Sequence, residues 1–191
     1  MVRARKPDRR VERTRQHLLD AFRDLVLTRG YDAVTVRDVV EAANVGRSTF
    51  YEHFEHKDAL LEASLQPLLT MMADAVRTDD VAPGLSMVIS HFGDNRRLAR
   101  IMMAGSARRL MTRFLSNLIE TRLPTVAREM RATRPLLPLR LIAAHLADGQ
   151  LGLIEAWLSG KTGPTPEAVA RALHISTRAS AVGLLAPRTS S

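Results

Sequence analysis

The sequence predicts an all-α protein of about nine helices, with a small N-terminal unit followed by a larger C-terminal one. Three observations carry that reading. Apolar residues recur at three- and four-residue spacings along most of the chain, and no stretch alternates cleanly enough for a sheet. Leu, Ala, Arg and Met dominate while Gly and Pro number 10 and 9 among 191 residues, a balance that favours helix. Close to the start, residues 35–58 (TVRDVVEAANVGRSTFYEHFEHKD) read as a short helix, a tight turn and a second short helix.

The first helix is expected from about Pro7-Asp8 to 28, after a basic arm at 1–7, with Val11, Leu18, Phe22 and Leu25 spaced for one face and Leu19 and Val26 beside them. Arg29 and Gly30 supply a cation and a C′ glycine to close it. Thr35 then stands as N-cap, with Asp38 three residues later as a capping-box variant. The second helix runs to about residue 43, and Asn44 is placed to take a left-handed turn conformation. The third spans 47–53. The fourth starts at Lys57 and reaches 78, bent near Pro67. Further helices are expected at 83–93, 95–104, 106–132 with a kink at Pro124, 137–159 and 165–185. Gly160, Gly163, Pro164 and Pro166 mark the last connection, and the tail APRTSS is expected to fray.

Charge and composition narrow the function. The formal net charge of +8 suits a polyanionic partner. Residues 1–15 carry seven cations against Asp8 and Glu12, while the eleven arginines between Arg96 and Arg140 read more simply as solvated helix faces. The absence of cysteine excludes disulfide and thiol chemistry and fits a cytoplasmic protein. No run approaches the roughly 20 apolar residues of a membrane span, and no signal peptide is visible. There is no glycine-rich phosphate loop, nucleophile elbow or HExxH, so an enzyme is not expected. His53 and His56 form the one close histidine pair, and without a Cys or carboxylate cluster beside them no metal and no cofactor are expected.

The helix-turn-helix at 35–58 has the layout of a DNA-reading head, in which the second helix enters the major groove. At 100° per residue, Arg47, Ser48 and Tyr51 share an arc of about 100° that excludes Phe50. Val39, Val45, Phe50 and Phe54 are then free to form a core beneath it. An arginine here can grip guanine or phosphate, and a tyrosine offers a ring to a thymine methyl. Thr35 and Lys57 stand at helix N-termini, where backbone N–H groups favour phosphate. Taken alone, the same pattern also describes an ordinary three-helix core with a polar surface.

The residues go further than the pattern. The stretch resembles the head of the TetR (tetracycline-repressor-like) family of bacterial regulators, approximately T-V-R-D-I-A-x-x-A-G-V-S-x-G-T-L-Y-x-H-F-x-x-K-x-x-L. This sequence has Thr35-Val36-Arg37-Asp38-Val39, Ala43, Val45, Thr49-Phe50-Tyr51, His53-Phe54, Lys57 and Leu60 in register. Val40, Asn44 and Gly46 depart from it, replacing a small Ala, the turn Gly and a Ser cap; Glu52 adds an acid to the reading helix. The resemblance implies a DNA-binding unit at 1–61 and a ligand-binding and dimerisation unit at 62–191. It also implies DNA contacts from Thr35, Arg47, Ser48, Thr49, Tyr51, His53 and Lys57.

For the rest of the chain the family similarity is one of layout. The last two helices are expected to pair with their copies in a homodimer, as a palindromic double-stranded DNA operator demands. Ala143, Ala147, Gly149 and Gly152 offer small surfaces for that approach. Methionine and aromatic residues accumulate in the middle, and Met is a side chain that repacks around apolar ligands. A ligand set of Met71, Phe92, Met102, Met103, Phe114, His145 and Trp157 is therefore expected, with His91, Gln150 and Glu155 as further polar groups. The function that follows is a transcriptional regulator, a repressor released from a palindromic operator by a small apolar or amphipathic effector. The alternative is a regulator whose C-terminal unit binds a protein partner and no small molecule. A non-specific DNA-compacting protein is the third reading, against which the polar arc of the third helix argues.

Overall fold

The computed structural model describes residues 9–77, 80–81, 83–132, 134–160 and 163–186. The expected basic arm and most of the tail lie outside them. Among the described residues there are nine α-helices and no strand: α1 (Arg9–Arg29), α2 (Val36–Ala42), α3 (Arg47–His53), α4 (Lys57–Ala73), α5 (Pro83–Asp94), α6 (Arg96–Met102), α7 (Gly105–Glu129), α8 (Leu139–Ser159) and α9 (Pro166–Leu185). The chain forms two compact units, residues 1–64 and 65–191. No helix of the described residues is long and apolar enough to cross a membrane.

In the first unit α1 packs on α2 and α2 on α3. The buried stripe of α1 is Leu18, Phe22 and Val26, every fourth residue; of the expected face, Leu25 is only half-buried and Val11 lies outside the stripe. Val11 is 50% exposed. Gly30 has φ +77°, the left-handed conformation expected of a C′ residue. Tyr31 then turns inward beside Phe22, their rings edge to face at 6.2 Å.

In the second unit α7 lies along α8, α9 packs on α8 and α5, and α6 bridges α5 to α8. Met111, Leu115, Ile119 and Leu123 on α7 and Ile142, Leu146, Ile154 and Leu158 on α8 are all essentially inaccessible. Their four-residue spacing places each set on a single face. The sequence reading extends α4 to residue 78, but the helix stops at Ala73 and tightens into a 3-10 turn, Asp74–Val76. Such tightening satisfies terminal carbonyls. Likewise α7 ends before residue 132. Arg131 adopts φ +53°, with its N–H donating to Arg128 O and that of Ala132 to Ala127 O, a Schellman stop. The helical assignment runs through both Pro67 and Pro124.

Not every arginine between Arg96 and Arg140 is a solvated charge. Arg96 donates to Trp157 O (2.8 Å) and Gly160 O (2.6 Å) at the end of α8. Arg122 pairs with Asp74 at 2.7 Å and donates to Leu118 O and Thr70 O. Arg108 meets Asp148 at 2.9 Å. These side chains tie helices together, a role that a charge count does not reveal.

Candidate nucleic-acid interface

The turn between α2 and α3 has the same chemistry as the end of α7. Asn44 takes φ +52°, its N–H donates to Glu41 O, and the N–H of Val45 donates to Val40 O at 3.1 Å. This is again a Schellman stop, and Asn is the non-glycine residue that tolerates it best. Gly46 then serves as N-cap of α3 with φ −71° and ψ 151°, without a side-chain cap, as expected of a position that lacks the usual Ser.

On α3 the face that the sequence assigned inward is inward. Phe50 is fully buried, its ring 6.0 Å from that of Phe54, which is 5% exposed and lies under the Arg15 guanidinium. Val39 is buried and Val45 partly so. The opposite face carries Arg47, Ser48 and Tyr51, all exposed, with Tyr51 at 49%. Arg47 sits over the Tyr51 ring at 5.7 Å and its Nη2 approaches the hydroxyl at 3.4 Å. The pair is thus stacked as an open cationic and aromatic surface. Thr49 and His53 are half-buried at its margins, and Glu52 is exposed.

Two of the predicted contacts have another occupation. The Thr35 hydroxyl accepts from Asp38 N–H at 3.2 Å and donates to Asp38 Oδ2 at 2.5 Å, and Thr35 N–H donates to the same carboxylate at 2.8 Å. The capping box is complete, and Arg29 adds an ion pair at 3.0 Å. The Thr35 hydroxyl and N–H, with Arg29 beyond them, hold the Asp38 carboxyl below its ordinary value. Thr35 therefore spends its own donors inside the head. Lys57 does so more completely. Its ammonium donates to Tyr31 O at 2.9 Å and Val34 O at 2.8 Å and lies 4.2 Å from the centre of the Tyr31 ring. Of its three N–H groups one remains for a phosphate.

Next to Lys57, Asp58 accepts from the Tyr31 hydroxyl, so two consecutive residues of α4 fasten the loop between α1 and α2. His56 caps α4, its Nδ1 accepting from Ala59 N–H at 3.1 Å. Sequence reasoning did not find these links. The signal in the sequence, a cation and an acid side by side at a helix start, points to solvent or DNA as readily as to a loop 26 residues earlier. No group of metal-ligating residues occurs among the described residues.

The expected ligand residues do not share one environment. Phe92, Met102, Met103 and Phe114 are buried within the second unit, and Met71 is half-buried against Gly84. His145 is exposed on α8, about 100° round the helix from the middle of the stripe through Ile142, Leu146 and Gln150, so it does not belong to that interior. Trp157 closes a corner: its Nε1 donates to Pro164 O at 3.0 Å, and its ring fills the space that side chains at Gly93 and Gly163 would need. Of the polar groups considered, His91 and Glu155 are exposed and only Gln150 is interior.

A buried three-helix core presenting a polar, cationic second helix defines a helix-turn-helix DNA-binding unit, here followed by an all-α second unit. Residues 18–64 match the family profile described as bacterial regulatory proteins, tetR family, and residues 79–178 match that of a transcriptional regulator C-terminal region. The chain belongs to the TetR family of transcriptional regulators, whose members are not enzymes. An HTH-type transcriptional repressor of Mycobacterium tuberculosis is 29% identical over 139 residues, 71% of this chain and 69% of that protein. An uncharacterized HTH-type regulator of Bacillus subtilis is 40% identical over 60 residues, 31% of this chain and 16% of that protein. The similarity to several relatives therefore spans well under two thirds of their length. Among solved structures, a TetR transcriptional regulator from Streptococcus agalactiae superposes with a TM-score of 0.58 at 25% identity, covering 89% of this chain and 96% of that one. The fold is also that of NalD, the secondary repressor of the MexAB-OprM multidrug efflux pump in Pseudomonas aeruginosa, with a TM-score of 0.56 at 20% identity over 89% and 97% of the two chains.

Proposed function

We propose that the protein is a homodimeric repressor that binds a palindromic operator through α3 and is released by a small-molecule effector held in the second unit. The observation that carries the DNA reading is the division of α3 into a fully buried Phe50 and an exposed face of Arg47, Ser48 and Tyr51. Base edges are read by Arg47 and Tyr51, with Ser48 and Thr49 beside them and His53 near the backbone. Thr35 and Lys57 contribute chiefly by fixing the head, Lys57 retaining one N–H for phosphate.

Dimerisation is supported by the outward faces of α8 and α9. Leu141 and Ile175 are 48% and 59% exposed, and Ala144, Gly149 and Ala172 are exposed beside them. Gly149, Gly152 and Gly183 have open space where a Cβ would stand, which permits close approach of a second helix. Ala143 and Ala147, in contrast, are buried within the chain and pack there. The effector acts through α4, whose residues 57–64 belong to the first unit and 65–73 to the second. An effector that prefers one placement of α4 shifts the population away from the operator-binding form.

The test is a binding isotherm on DNA from upstream of the gene, with the stoichiometry measured. Two chains per site, tight binding that random DNA does not match, and loss with Tyr51→Ala are expected. Equal affinity for random DNA would leave a charge-driven DNA-coating protein instead.

A further inference from the structure

Among the described residues, Gln150 is one of three buried polar side chains, 2% exposed. It lies on the inward stripe of α8 between Leu146 and Ile154, both essentially inaccessible. Its Nε2 donates to Met72 O at 3.4 Å, longer than an ordinary N–H···O contact. Among the described residues no donor reaches its Oε1. A buried acceptor left without a donor is destabilising, so a leucine or methionine at this position would make the more stable core.

The second end of the amide matters equally. Met72 is in the last turn of α4, and that turn with the 3-10 turn after it is held from three helices: Arg122 on α7 donates to Thr70 O and Asp74, Gln150 on α8 to Met72 O, and Arg178 on α9 to Val76 O. Both arginine attachments are ionic or shorter than the Gln150 bond. Gln150 is the weakest fastening, and the one whose other atom is unengaged.

We propose that Gln150 is the polar anchor of the effector site, and that the effector is a neutral, largely apolar molecule carrying one O–H or N–H that donates to Gln150 Oε1. This rests on the effector-released reading above and names the chemistry of its ligand. Neutrality follows from the surroundings: the charged groups at this turn are already engaged, Arg122 with Asp74, Leu118 O and Thr70 O and Arg178 with Val76 O, so a charged ligand would have to break those links for a counter-ion, and an anion would also face the Oε1 lone pairs. Apolar bulk follows from the interior around it: Leu146 and Ile154 flank it on α8, and Met72, whose carbonyl it meets, is fully buried and flexible enough to repack. Docking at Oε1 turns the amide and changes its hold on Met72 O, which passes the event to the end of α4.

The experiment uses the full-length dimer and two shape-matched probe pairs, phenol with toluene and thymol with p-cymene. Affinities come from thermal-shift titrations, and release from fluorescence anisotropy on upstream DNA. In at least one pair the hydroxylated member is expected to bind about ten-fold tighter, the worth of one well-made buried hydrogen bond, and to release DNA. In Gln150→Met the preference disappears, while the melting temperature holds or rises because the unmatched acceptor is gone. Equal binding within both pairs, binding by none of the four probes, or a preference that survives in Gln150→Met overturns the proposal. If the variant fails to fold, the wild-type comparison alone decides. Failure of the parent reading looks different: the wild-type protein would then bind no upstream site before any probe is added.

Discussion

Lys57 separates two accounts of the same residue. In Lys57→Met the ammonium is lost while most of the side-chain volume remains. Two charge-assisted hydrogen bonds, 2.9 Å to Tyr31 O and 2.8 Å to Val34 O, disappear together with a cation placed 4.2 Å from the Tyr31 ring. Hydrogen bonds to charged groups contribute about 1.5–3 kcal/mol each. Their sum does not apply here, because Lys57 is only half-buried and Tyr31 O keeps a second donor, Val34 N–H at 3.3 Å. The larger part comes from Val34 O, in a residue 1% exposed. The expected loss is about 2–3 kcal/mol in the stability of the first unit. Urea denaturation followed by Tyr31 and Tyr51 fluorescence, with hydrogen exchange of α1–α3 amides, measures it. A lysine serving chiefly as a phosphate ligand behaves otherwise: the slope of log K against log salt falls by about 0.9 in magnitude with no change in unfolding. That result would refute the structural role.

Other expectations follow from the same geometry. Tyr51→Ala and Arg47→Ala are expected to cost about 1–3 kcal/mol each in operator binding, read by gel shift, with the melting temperature nearly unchanged because both side chains are exposed. Phe50→Ala, by contrast, removes a fully buried ring and is expected to cost about 3–5 kcal/mol in stability, seen as loss of protected α1–α3 amides. Asp38 has its carboxyl pKa lowered in the folded head, so its contribution is present above the ordinary carboxylate value and is lost as pH falls through the lowered one. Asp38→Asn should flatten that acid-side loss in a pH series of melting temperatures. Replacing both Leu141 and Ile175 by Asp should convert the dimer to monomer in sedimentation velocity, with α-helical circular dichroism retained, since both side chains are exposed in the single chain.

How far the sequence carried depends on what kind of force set each feature. Phe50, Phe54 and Val39 were legible because burial follows helical period, and Gly30 and Asn44 because a left-handed stop accepts few residue types. Arg131 was not legible as a stop, since arginine carries no such signature. Val11 was placed on the α1 face but is exposed, because periodicity marks a face and not how far along it burial extends. Arg96 and Arg122 were read as surface charge and Lys57 as a phosphate contact; each donates to backbone carbonyls distant in the chain, and a carbonyl has no sequence identity to match. His145 illustrates the same limit from the other side. It sits one residue from Leu146 in sequence and about 100° away on the helix, enough to leave the interior.

The most direct test of the DNA reading is a hydroxyl-radical footprint of the full-length protein on the DNA upstream of its gene. The account predicts two protected patches of related, inverted sequence, centred about 34–36 Å apart or a multiple of that spacing, both lost with Tyr51→Ala. A single uninterrupted protected stretch without inverted symmetry, or protection that persists in Tyr51→Ala, would contradict it.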